Sequence, residues 1–219
     1  MMEKVKRAKG RVDIAKLDSA DVAGDEITGG YILKIDKNTG TNLGGFTSDY
    51  NVTGGFIKHM FQYDAPKSIH GVQKNYIENY IRDFEDALAG PNFTDANFGY
   101  SKYIDESSFI KMFIINEVAG NVDAYRISTF LYKDKDSKGG KLTIGPPWDY
   151  DLSYGNADYC GAPSYSIFSY QFNSRCPQDG YQVPFWWDRL LQDTSFRKML
   201  YEEYHLQRTE GALQWNNIT

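Results

Sequence analysis

No apolar run in these 219 residues approaches the roughly 18–20 residues of a membrane-spanning helix, so a helical span is not expected. No charged segment followed by an apolar core opens the chain, and no signal peptide is expected in it. There is no run of Lys or Arg, and the net charge is −5. That balance argues against duplex nucleic acid, which is held largely by basic side chains on phosphates. Nucleotide and hydrolase signatures are also missing: the sequence has no G-x-x-x-x-G-K-[ST] loop, no H-E-x-x-H helix and no G-x-S-x-G elbow. The histidines His59, His70 and His205 are far apart and form no metal set. Cysteine occurs twice, at Cys160 and Cys176, in one loop-like region. These two either close a local disulfide in an exported protein or remain free thiols.

What is present suits one globular domain, or one and a half, at 41% hydrophobic and 24% charged residues. Tyrosine is abundant, at 17 residues; it serves either a ligand groove or an aromatic core. Asn51, Asn92 and Asn217 begin N-x-T triplets, which arise often by chance.

The stretch from Asn116 to Asn156 organises the chain. Ile127–Lys133 and Lys141–Ile144 alternate as strands do, and Asp134–Gly140 is a polar turn between them. This is a hairpin pattern. A hairpin returns its chain to where it left, so Asp123 on one side is expected beside Asp149 and Asp151 on the other. Crowded carboxylates repel, and one pKa rises unless a cation intervenes; magnesium with a phosphate is one solution. The bland alternative is a surface hairpin flanked by turn-forming aspartates, and the W-D-Y-D cluster weighs against it. Asp134, Asp136 and Gly139 resemble the start of a calcium loop, but Lys138 and Gly145 stand where ligands are needed. That reading is rejected.

Around this stretch, Gly29–Lys37 reads as a strand with Tyr31, Leu33 and Ile35 on one face. Lys34, on the other face, reads as a solvated strand lysine before a phosphate contact. Thr39–Gly55 reads as a loop or short hairpin, and Phe56–Tyr63 as a strand. Apolar spacing from Val72 to Leu88 predicts a helix stopped by Gly90-Pro91. Asp105 is the expected N-cap of a second helix ending at Gly120. Asn121 and Asp123 then fall in a loop mounted on a buried helix. Leu152–Pro184 reads as a lid, a substrate-binding segment or an ordered irregular layer. Helical spacing resumes through Trp186, Trp187 and Leu190, and Asp193 or Thr194 caps a further helix.

The run from Ser108 to Asn156, with its N-x-D and P-W-D-x-D motifs, closely resembles the spore coat protein H (CotH) kinase family. GGYILKIDK, QKNYIENYIRDFEDALAG and FWWDRLLQD resemble it in the same order. The resemblance covers nearly the whole chain. It implies an α+β, atypical protein-kinase-like fold: mainly the helical catalytic lobe, with a central β-hairpin and a few N-terminal strands. Residues 1–65 would be a strand-rich remnant and 66–219 mainly helical. It implies ATP and magnesium as cofactors and a protein hydroxyl as acceptor. Carried over, Asp123 is the catalytic acid and Asp149 the metal-binding acid. Asp151 and Asn121 are further metal or phosphate contacts.

In the family, the stretch matching Met2–Arg7 follows a strand of a larger nucleotide lobe. Nothing precedes it here, so a truncated nucleotide lobe is expected, inactive alone and weak in nucleotide binding. Glu3 and Lys4 are expected to face the nucleotide. Arg126 is a third such candidate, with pairing to Asp123 as its other reading. Val5, Val12 and Ile14 are expected to be exposed at the lobe edge and to favour self-association. The family resemblance implies an extracytoplasmic or spore-coat location. Two functions compete: a protein kinase acting on a coat or secreted protein, and a non-catalytic surface adhesion module. Retention of all three acids favours the first. Glycoside hydrolysis by the Asp pair is chemically allowed but has no motif behind it.

Overall fold

The computed structural model describes residues 4–37, 44–162 and 167–218. Five strands form one antiparallel sheet: β1 (Tyr31–Ile35), β2 (Gly45–Asn51), β3 (Lys58–Ala65), β4 (Thr129–Lys133) and β5 (Leu142–Ile144), in the order β2-β3-β1-β4-β5. The helices are α1 (Gly71–Ala89), α2 (Glu106–Ala119), α3 (Phe172–Arg175), α4 (Trp186–Leu190), α5 (Thr194–Thr209) and α6 (Trp215–Ile218).

The expected hairpin is β4–β5, registered by Leu131 opposite Ile144. It is not a separate feature. β1 lies between β3 and β4, with Leu33 opposite both Tyr63 and Leu131. One sheet therefore joins the N-terminal strands to the hairpin, and one core crosses the 65/66 position. That core runs from Leu17 and Tyr31 through Phe84 and Phe109 to Trp186 and Phe196. The segment read as a loop or short hairpin contributes β2, an edge strand whose Ser48 is buried.

Both faces of β1 are covered, because Ile32 is as buried as Tyr31. The N-terminal segment does this: Val5, Val12 and Ile14 pack with Ile32 and Phe130. The apolar surface expected at the lobe edge is thus corrected. Burial against the second face of the sheet removes it. Among the described residues, no helix is long and apolar enough to cross a membrane.

Helix α1 buries Ile77, Ile81, Phe84 and Leu88 along one stripe, as their spacing requires. Helix α2 is buried on most sides. The Asp105 carboxylate accepts the Ser107 N–H at its start. Gly120 ends it in the left-handed region at φ 56°, where a β-carbon would be strained. Asp193 likewise caps α5 through the Ser195 N–H.

Candidate active site

The loop after α2 is fixed at several points. Gly120 turns the chain, and the Asn121 N–H returns to the Asn116 carbonyl at 3.1 Å. The Asn121 side-chain oxygen accepts the Asp123 N–H at 3.1 Å. The Ile127 N–H closes a turn on the Asp123 carbonyl at 3.3 Å. Two non-glycine residues in this loop have positive φ, Tyr125 at 70° and Ser128 at 51°. Side chains rarely adopt that region, so packing must enforce it. Tyr125 is held by the Trp187 ring and by its hydroxyl, which donates to Glu117 at 2.8 Å.

Asp123 is buried. Its Oδ1 accepts from Arg126 Nη2 at 2.6 Å and from the Tyr159 hydroxyl at 2.9 Å. Among the described residues, nothing donates to its Oδ2. Arg126 is buried, and all five of its N–H donors are engaged. Nε donates to the Val122 carbonyl, Nη1 to Asp179 and the Tyr181 carbonyl, and Nη2 to Asp123 and Tyr159. The guanidinium also lies over the Phe172 ring at 3.9 Å. Such a side chain has no donor left for a phosphate; this geometry makes Arg126 a support for Asp123.

Across the hairpin, Asp149 also has positive φ, at 62°. The Ser128 hydroxyl donates to its Oδ2 at 3.4 Å, bridging the two ends of the hairpin. Partial burial raises the Asp149 pKa, and the neighbouring Asp151 and Asp123 carboxylates push it further. Asp151 itself is exposed. Tyr150 turns inward and donates to Asn116 Oδ1 at 2.5 Å, anchoring the segment to α2. Trp148 is half-buried and meets Phe130 edge to face.

A groove of about 410 Å³ runs past Asp149. Its walls are Pro147 and Trp148 on one side and the N-terminal segment, with Lys4, Lys6 and Arg11, on the other. Lys4 lies on the same groove as Asp149. Glu3 lies outside the described residues. Lys34 pairs with Asp36 at 3.2 Å on the sheet.

A family model described as CotH kinase protein matches residues 1–218. The chain belongs to the CotH kinase family. The α+β architecture, a five-stranded antiparallel sheet with helices, is consistent with the kinase-like fold of CotH members. No curated protein and no solved structure matches the chain.

Among the described residues, no three His, Cys, Asp or Glu side chains converge on one metal position. Magnesium does not require such a cage. It keeps several waters and takes one or two carboxylates plus substrate phosphates. Asp149 and Asp151, mutually repelling with no cation paired to either among the described residues, fit that pattern. Asn121 fits it less well, because its oxygen already serves the Asp123 backbone. Tyr159, Asp179, Lys6 and Arg11 were not singled out by the sequence. Tyr159 and Asp179 sit in an irregular segment without periodicity. Lys6 and Arg11 approach Asp149 only through the path of the N-terminal segment.

Proposed function

We propose that this CotH family chain is the core of a protein kinase that transfers the γ-phosphoryl group of ATP to hydroxyls of a coat or secreted protein. The observation that carries this reading is the pair of acids at the two ends of one hairpin. Asp123 has one carboxylate oxygen anchored and the other undonated among the described residues. Asp149 lies within electrostatic reach of it, on a groove lined by cations.

Each residue has a separate task. Asp149 and Asp151 would hold magnesium, which when bound neutralises charge on the phosphates. Lys4, Lys6 and Arg11 would face the phosphates along the groove. Asp123 Oδ2 would accept the proton of the attacking hydroxyl, so that its oxygen bonds to phosphorus as ADP leaves. Phosphoryl transfer depends mainly on positioning and electrostatics, and the strained, tightly packed loop supplies the positioning. The Cys160–Cys176 disulfide supports an oxidising, extracytoplasmic location.

The test is incubation of the chain with magnesium and γ-labelled ATP, followed by analysis of the protein for phosphoryl groups. Label in the wild type, absent from Asp123→Asn and Asp149→Ala, is the expected result; the cations Lys4, Lys6 and Arg11 beside Asp149 are the reason to expect transfer in place of the inactivity that a truncated nucleotide lobe implies. Equal labelling of all three proteins would overturn the assignment. ATP binding without any transfer would favour the adhesion-module reading.

A further inference from the structure

The segment that follows the acidic cluster folds back onto Asp123. Tyr159 donates its hydroxyl proton to Asp123 Oδ1 at 2.9 Å and accepts from Arg126 Nη2 at 3.1 Å. The next residue, Cys160, is joined to Cys176. Between those cysteines lies Phe172, on which the Arg126 guanidinium rests. Just beyond them, Asp179 and the Tyr181 carbonyl take Arg126 Nη1, each at 3.3 Å. These contacts between the segment and the loop converge on one oxygen of one carboxylate, directly or through Arg126. The other oxygen takes no donor among the described residues.

We propose that Tyr159 is a positioning residue for Asp123, and that the Cys160–Cys176 disulfide holds it in place. The proposal rests on the reading of Asp123 as the acid that receives the acceptor's proton. A carboxylate held only by Arg126 can still rotate about its Cβ–Cγ bond. A second donor on the same oxygen fixes the plane of the group and so the direction of Oδ2. Burial and the adjacent Asp123 charge push the Tyr159 pKa up to about 12, so the phenol keeps its proton at neutral pH. Arg126 faces both this hydroxyl and its carboxylate partner, Asp179 pairs with Arg126, and Asp149 lies within electrostatic reach of Asp123. The disulfide closes a short loop around Phe172, so its loss frees Tyr159 and the Arg126 support together.

The test is a double-mutant cycle on the whole chain with Tyr159→Phe and Asp123→Asn. Magnesium-ATP is the probe, and ADP release and melting temperature are the two readouts. Tyr159→Phe should lower kcat by about ten- to hundredfold, the range for a hydrogen bond to a charged group. KM for ATP should stay within about twofold, since the groove cations are untouched. In the Asp123→Asn background the same change should cost nothing further in rate. Cys176→Ser should reproduce the loss and should not add to that of Tyr159→Phe. An equal loss in both backgrounds, or a loss carried by KM, would overturn the proposal. Melting temperatures, read without nucleotide, should also be non-additive for the Tyr159 and Asp123 changes; strict additivity would overturn the contact itself. Full turnover by Asp123→Asn, with melting still non-additive, would sink the kinase assignment of Asp123 while leaving the contact standing.

Discussion

The ring of Tyr125 lies against Trp187, with centroids 4.4 Å apart. This contact joins the loop that carries Asp123 to helix α4, far along the chain. Trp187 also touches Phe109 and Phe113 of α2. One side chain therefore packs against both the loop and the helix on which it is mounted. Trp187→Ala should cost about 3–5 kcal/mol of stability, the usual range for removing a buried large aromatic. It should also release Tyr125 from its positive-φ conformation and lower phosphoryl transfer. Urea unfolding beside a transfer assay would check both. A loss below about 1 kcal/mol would mean that the site can collapse around the cavity.

Asp149→Ala should separate chemistry from folding. Removing the proposed magnesium ligand should reduce magnesium-dependent transfer by several powers of ten. Stability without metal should hardly fall, or should rise, because the variant relieves repulsion from Asp151 and Asp123. Melting curves with and without magnesium provide the comparison. A large destabilisation in metal-free buffer would show that the Asp149 carboxylate has a structural task.

Glu85 gives the fold a pH dependence of predictable sign. It is buried between Ser48 of β2 and Trp186 of α4, which donate to its two oxygens at 2.8 and 2.9 Å. Burial raises its pKa from 4.5 to about 7, and the hydrogen bonds and Arg82 offset only part of this. The folded state therefore keeps a proton that the unfolded state loses between those values. Stability from this group falls as pH rises from about 4.5 to about 7, by at most roughly 3 kcal/mol. Glu85→Gln should flatten that slope and be the more stable protein at pH 8. Denaturation midpoints across pH 4–8 would measure this; parallel curves for the two proteins would refute it.

Charge on the groove should govern nucleotide affinity. Lys4→Glu or Lys6→Glu places an acid on the wall opposite Asp149. Each should weaken magnesium-ATP binding by about tenfold at low salt, and by less at high salt, where exposed charges are screened. Calorimetric titration at two ionic strengths is the measurement. Unchanged binding would place the phosphates elsewhere.

Much of this molecule was written locally. The three- and four-residue spacing of Ile77, Ile81, Phe84 and Leu88 set α1, because an amphipathic stripe leaves a helix one face to bury. Asp105 and Gly120 bounded α2 by capping chemistry that involves only their near neighbours. The hairpin followed from alternation around a polar turn, and it put Asp149 within electrostatic reach of Asp123. Those features depend on residues close in sequence.

Other decisions needed the whole chain. Strand alternation shows which residues share a face but not which strand lies beside which. Only the fold put β1 between β3 and β4. Only the path of Val5, Val12 and Ile14 across the second face of the sheet carried Lys4 and Lys6 to Asp149. Asp179, Tyr159 and Phe172 lie in a segment without period, so local pattern said nothing of their meeting at Arg126. The sequence alone left Arg126 open to a nucleotide or to Asp123. Tertiary packing decided it, because a buried guanidinium must satisfy every donor, and the groups that do so here come from both sides of the hairpin.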